Sequence, residues 1–153
     1  FQPANMNHTG NFSRSDVIEG RVSNYEKSGD SFKYAPWFDY AFKYGSGSLQ
    51  TSVEDMYNWF LALYNNKIYG DTFKEKFLTG YDISGGYGYG LGKGSANSTK
   101  VAEHEGGVSG VAAYVVYSLE PAYFIFFVSN VTNGNTREAR KQIFQFIYDK
   151  LDL

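Results

Sequence analysis

Cysteine is absent from the 153 residues. That excludes disulfides, thiolate metal sites and a cysteine nucleophile. Histidine is almost absent too: with only His8 and His104, no cluster has zinc-ligand spacing, and neither a metal nor another cofactor is expected. No apolar stretch approaches the ~20 residues of a spanning helix, and the longest, Tyr123–Val128, has the length of a strand. Charge of one sign is lacking as well. With 14 basic against 16 acidic residues and a formal net charge of −2, nothing favours binding to nucleic acid or an anionic membrane. There is no phosphate-binding loop, no G-x-G-x-x-G fingerprint, no G-x-S-x-G elbow and no internal repeat.

What is present is apolar and aromatic. Hydrophobic residues make up 42%, enough for a folded core. Aromatics reach 19%, mostly Tyr and Phe, whose bodies are apolar and, in Tyr, whose tip is polar. The Asn-x-Ser/Thr sequons at Asn7, Asn11, Asn97 and Asn130 are read as chance in a sequence rich in these residues. The chain begins at Phe1 and is expected to be a processed product or a fragment.

Residues 1–50 show little periodicity and read as a long connection with short strands at most. Thr51 and Glu54 have capping-box spacing, and Val53, Met56, Phe60 and Leu63 recur at helical intervals, which predicts a helix over about 52–65. A shorter helix is expected from Asp71, as N-cap, to Thr79, with Gly80 just past its end. The Gly-rich stretch predicts a strand around 87–92, a turn at 95–99, and a strand from Lys100 to His104 interrupted by Gly106, Gly107 and Gly110. Val111–Ser118 and Tyr123–Ser129 read as two strong strands turning at Glu120-Pro121. The second is apolar on both alternating faces, so it belongs in a sheet covered on both sides. Asn130–Asn135 reads as a loop. A last helix, capped by Asn135 and Glu138, presents Ala139, Ile143, Phe146, Ile147 and Leu151 on one face. The order predicts an α+β fold: an antiparallel sheet with flanking helices.

His104 is the titratable group that stands out, in Glu103-His104-Glu105-Gly106-Gly107 just before a strong strand. Chemistry alone leaves two readings open: a surface-loop histidine between glutamates, or a functional imidazole.

Three blocks, in order, resemble the serine β-lactamase-like hydrolases, the penicillin-recognising family. Gly45-Ser46-Gly47-Ser48-Leu49-Gln50-Thr51-Ser52-Val53-Glu54-Asp55-Met56 resembles the family's Gly-rich turn leading into a helix. Tyr87-Gly88-Tyr89-Gly90-Leu91-Gly92 is similar to the strand before its third catalytic motif. His104-Glu105-Gly106-Gly107, through Ser109-Gly110 and on to Val128-Ser129-Asn130, is similar to the His-x-Gly version of that motif. Pro3-Ala4-Asn5-Met6-Asn7-His8-Thr9 resembles a stretch found just after the second motif.

The resemblance implies a β-lactamase/transpeptidase-like domain of which residues 1–153 are the C-terminal portion, with a loop and helical part over 1–80 and sheet strands and C-terminal helix over 81–153. It implies a bacterial protein, secreted or associated with the cell envelope. It implies that His104 stands for the motif's basic residue, that Glu105 and Gly106 complete the motif, and that Gly107 follows where a backbone N–H meets the oxyanion. One such donor is worth roughly 3–4 kcal/mol of barrier. The family's nucleophile, the Ser of Ser-x-x-Lys, has no counterpart here, since no Ser precedes a Lys by three residues. Tyr64-Asn65-Asn66 matches Tyr-x-Asn by letters but falls at a helix end and is read as chance.

The expectation is therefore a fragment of a serine hydrolase of β-lactams, D-amino-acid peptides or simple esters, inactive alone. It would need its N-terminal complement and self-associate without it. Two other classes stay open: a non-catalytic module binding a ligand or glycan through its aromatics, and a small lipid or ligand carrier, which would need an enclosed apolar pocket.

Overall fold

The computed structural model describes residues 1–13, 15–79, 86–133 and 135–151. Its elements in chain order are β1 (Tyr25–Ser28), β2 (Ser31–Tyr34), α1 (Val53–Tyr64), α2 (Asp71–Thr79), β3 (Tyr87–Gly88), β4 (Leu91–Ala96), β5 (Thr99–Val108), β6 (Val111–Leu119), β7 (Ala122–Ser129), β8 (Val131–Thr132) and α3 (Thr136–Leu151). Short 3₁₀ turns occur at Gln2–Ala4 and Tyr40–Lys43. The main sheet is five-stranded and antiparallel, in the order β3-β4-β5-β6-β7. A smaller sheet, β2-β1-β8, pairs β1 antiparallel with β2 and parallel with β8.

The α+β expectation holds, and the alternation along β6 and β7 explains the layers. Val115, Tyr117, Phe124 and Phe126 point to one face of the sheet, where they meet Leu63, Met56 and Phe60 of α1. The Phe60 and Phe124 rings stack at 5.1 Å. Tyr114, Val116, Tyr123, Ile125 and Phe127 point to the other face and meet Phe144 and Tyr148 of α3. β7 is apolar on both sides because each side has a helix above it.

Several boundaries differ from the sequence reading. The α1 N-cap is Ser52, whose hydroxyl accepts the Asp55 N–H at 3.1 Å, while Thr51 pairs its hydroxyl with that of Thr9 at 2.7 Å. Gly70 accepts the N–H groups of Phe73 and Lys74, so Asp71 lies inside the first turn of α2, where its charge suits the helix dipole. Gly80 is outside the described residues. The single strand expected at 87–92 is a hairpin: Tyr89 and Gly90 both have positive φ (47° and 86°), as a two-residue type I′ connection requires. β5 continues through Gly106 and Gly107, because each is held in register by β6, opposite Ala113 and Ala112. The loop after β7 contains β8, paired with β1.

The face of α3 that packs is also different. Phe144 and Tyr148 are buried, whereas Ile143 and Phe146 are 46% and 62% exposed, and Leu151 and Ala139 are exposed as well. A helix with apolar residues on two adjoining faces offers periodicity a choice of face, and sheet contact decides it. Glu138 is engaged by Gln142 one turn on, and the Asn135 carbonyl accepts the first-turn N–H of Ala139.

The N-terminal segment is tied down by one buried carboxylate. Asp55 is 2% exposed, and its Oδ2 accepts the His8 N–H at 2.7 Å and the Thr9 hydroxyl at 2.6 Å. Beside it Ala4 and Met6 pack on Ala62. Asp55→Ala leaves the His8 and Thr9 donors without their acceptor and should cost roughly 2–4 kcal/mol. Urea unfolding checks the loss, and limited proteolysis should show cleavage within residues 1–12 before the rest of the chain is cut.

Candidate active site at the open edge of β5

β4 and β5 pair from Ala96↔Thr99 to Gly92↔Glu103, where β4 gives way to its turn. On its other side β5 pairs with β6 all the way to Val108↔Val111. From His104 to Val108, then, β5 is held by β6 alone, and no described strand covers its other edge. Main-chain N–H and C=O groups of alternate residues are presented along such an edge. The glycines keep it clear of side chains: a Cβ on Gly106 would meet nothing within 4 Å, and one on Gly107 would lie 3.2 Å from the Val111 carbonyl.

His104 stands at the start of this open stretch. It is exposed, with Nδ1 2.9 Å from the Tyr87 hydroxyl. Tyr87 reaches it across Gly92, where a Cβ would come within 3.5 Å of the Tyr87 ring. A notch of about 340 Å³ surrounds the pair, lined also by Glu103, Tyr114, Arg137 and Arg140. A second open groove of about 500 Å³ continues along Gly106, Gly107 and Val108 under the N-terminal turn of α3.

Strand alternation sends the two glutamates to the α3 side. The Tyr114 hydroxyl donates to Glu103. Glu105 accepts from Arg140 at 2.6 Å and Arg137 at 3.1 Å, and the Arg140 guanidinium lies 3.9 Å from the centre of the Tyr114 ring. The Arg140 hydrogen bond holds the Glu105 carboxyl below the usual carboxylate range; partial burial opposes this, and the charges of Arg140 and Arg137 reinforce it. Burial first, and the Glu103 contact second, raise the Tyr114 phenol well above its ordinary value. Burial, with Tyr123 and Glu103 nearby, pushes Tyr148 up to about 12.

The structure thus brings His104, Gly106 and Gly107 to one open edge and gives the Glu105 carboxylate to α3. Sequence reasoning missed Tyr87, Glu103, Tyr114, Arg137 and Arg140 as neighbours. Only the arginines carried a usable signal, since a spacing of three puts both on one helix face. Ser109, just past the glycines, donates its hydroxyl to Glu26. Among the described residues no group of three His, Asp or Glu could hold a metal ion, and no helix is long and apolar enough to cross a membrane.

No family model matches the sequence, and no curated protein matches it. Solved structures do. FmtA from Staphylococcus aureus superimposes with a TM-score of 0.73 and 18% identity over 97% of this chain and 39% of its own. D-amino acid amidase from Ochrobactrum anthropi, complexed with D-phenylalanine, gives 0.69 and 16% over 88% and 43%. The penicillin binding protein from Bacillus halodurans gives 0.65 and 18% over 93% and 46%. The fold is β-lactamase-like. The likeness is one of fold, and the chain spans less than half the length of each of these structures. Within this β-lactamase-like sheet, the open stretch of β5 is bounded by a histidine at one end and a glycine turn at the other.

The ion pairs that fix Glu105 make stability depend on pH. Its folded pKa lies below the unfolded one, so the contribution is present above the ordinary carboxylate range and is lost as pH falls through the depressed value. Glu105→Gln should lower the thermal midpoint at neutral pH, with the difference from wild type closing in acid. Melting curves across that range check it.

Proposed function

We propose that this chain is the C-terminal portion of a β-lactamase-like domain in a bacterial serine hydrolase, secreted or associated with the cell envelope, that cleaves an amide or ester. The observation that carries the reading is the open stretch of β5, free of side chains at Gly106 and Gly107, with His104 at its mouth. An extended acyl substrate can add to such an edge by main-chain hydrogen bonds. Two fold neighbours, a D-amino acid amidase and a penicillin binding protein, favour β-lactams and D-amino-acid peptides over simple esters.

In this reading the serine Oγ attacks the carbonyl carbon, its proton passes to a base, the leaving amine or alcohol takes up a proton, and water releases the acyl group. The serine and its lysine come from outside these 153 residues. Here the edge of β5 about Gly107 supplies oxyanion donors. His104, its Nδ1 engaged by Tyr87, turns Nε2 to the substrate. Arg137 and Arg140 outnumber the carboxylate they bind, so the groove suits a substrate bearing a carboxylate.

The surface supports an N-terminal complement. The accessible area is 10125 Å², whereas a compact monomer of this mass exposes about 7,800 Å². The surplus, about 2,300 Å², exceeds the ~800 Å² that each partner buries in a standard interface. β7 is an edge strand, and Ile143 and Phe146 on α3 and Val53 and Tyr57 on α1 stand exposed.

Two outcomes test the proposal. The 153-residue chain alone should self-associate in light scattering and show no adduct with a penicillin by mass spectrometry. The longer protein should be monomeric and acylated on a serine outside this segment; an adduct on a serine within it would refute the assignment. In that longer protein His104→Ala should lower kcat/KM about 100-fold, with a stability change of no more than ~0.5 kcal/mol because the side chain is exposed. Kinetics set against the thermal midpoint decide this, and an unchanged kcat/KM returns His104 to a surface role.

A further inference from the structure

Tyr87 and His104 meet across an intervening strand. β3, β4 and β5 lie side by side, in the register Tyr87↔Gly92 and Gly92↔Glu103. Gly92 lets the Tyr87 ring lie over β4: a Cβ there would already touch that ring, at 3.5 Å, so a longer side chain would displace it. The Tyr89-Gly90 turn, with both φ positive, holds β3 against β4. The Tyr87 hydroxyl ends 2.9 Å from His104 Nδ1, and the two ring centres are 6.1 Å apart. The charged groups beside His104 are engaged elsewhere: Tyr114 donates to Glu103, and Arg137 and Arg140 donate to Glu105.

A neutral imidazole carries one ring proton, and the hydrogen bond made at one nitrogen decides which nitrogen holds it. A phenol is a good donor and a poor acceptor, because its oxygen lone pair is shared with the ring. The unprotonated imidazole nitrogen is a strong acceptor. The Tyr87 O–H therefore donates to Nδ1, and the imidazole proton sits on Nε2. We propose that Tyr87 is a positioning residue that fixes His104 as the Nε2–H tautomer, so that His104 meets a ligand in the notch as a hydrogen-bond donor and not as a base. A donor at Nε2 suits a carbonyl or carboxylate oxygen, and the serine proton then passes to a base outside these residues. That donor role rests on the acyl-transfer reading; the tautomer does not.

The chain holds two histidines, so ring ¹⁵N spectra of the histidine-labelled protein resolve both. They are recorded at about pH 8.5, above the ordinary imidazole range, on sedimented protein, where self-association does not broaden the lines. His104→Gln assigns the signals. His104 should appear wholly as Nε2–H, and in Tyr87→Phe it should relax to the mixture of tautomers that free histidine shows. Tyr87→Phe keeps the ring over Gly92 and should leave the thermal midpoint unchanged. An Nδ1–H signal from His104, or a signal that Tyr87→Phe does not move, overturns the proposal whether or not the longer protein hydrolyses anything. In the longer protein Tyr87→Phe should lower kcat/KM about fivefold, with no further effect when added to His104→Ala. The amide of His104→Gln can donate from about the same place but cannot take up a proton. That variant should lose about tenfold where His104→Ala loses about 100-fold. A His104→Gln loss as large as that of His104→Ala would make the imidazole a base and overturn the donor role. A longer protein without turnover, beside a His104 that is wholly Nε2–H, would refute the hydrolase reading and leave the Tyr87 assignment standing.

Discussion

The candidate site depends on where β4 stops. β5 is ten residues long, and its partner on one side runs out at Gly92↔Glu103 while the other continues to the turn. The difference leaves a stretch of strand that is rigid, because β6 holds it in register, and unpaired along one edge. A loop could present the same groups to solvent but would not hold them in line. A strand paired on both sides would hold them in line but hide them. The glycines follow from this arrangement: on the unpaired stretch a side chain at Gly106 would stand in the space the edge opens.

The two faces of β5 are finished in different ways. On the α3 face Glu103 and Glu105 are committed, to Tyr114 and to the Arg137–Arg140 pair, and the arginines return the favour by fastening the first turns of α3 to the sheet. The exposed half of these contacts is screened by water and adds little stability by itself, but it fixes where positive charge sits relative to the edge. His104, between them along the strand, is met by Tyr87 beside the Tyr89-Gly90 turn, in a notch lined also by Glu103, Tyr114, Arg137 and Arg140. The site is thus built from a histidine left free to face a ligand and two carboxylates that are not.

Much of the frame was legible in the sequence, for reasons that also explain what was not. β6 and β7 were readable because their β-branched and aromatic runs have no competing helical period, and α1 because its apolar residues recur on one face. The packing face of α3 was not. Ala139, Ile143 and Phe146 form as good a stripe as Phe144 and Tyr148, and only the sheet, through Tyr114, Tyr123 and Phe127, selects between them. The course of β5 was obscured for a similar reason. Gly106 and Gly107 weaken a strand in isolation, yet opposite Ala113 and Ala112 they are carried by the partner strand across the next turn. His104 and its glycines were found as a motif. Their neighbours Tyr87, Tyr114 and Arg140 come from three different elements, and nothing local in the sequence joins them.

Two unpaired stretches of the main sheet, the free part of β5 and the outer edge of β7, are not equivalent. Edges that natural proteins leave exposed carry charges, glycines or bends that discourage another strand. The free part of β5 has His104, Glu105 and two glycines in five residues, so it can stay open in water and still accept an extended ligand. β7 reads Ala-Tyr-Phe-Ile-Phe-Phe-Val-Ser, with no charge, proline or glycine along its length, and it lies beside a helix whose Ile143 and Phe146 are also uncovered. A strand of that composition is suited to the interior of a sheet. The charged, glycine-bearing stretch can therefore remain unpaired in water, whereas the composition of the aromatic edge is that of a strand with neighbours on both sides.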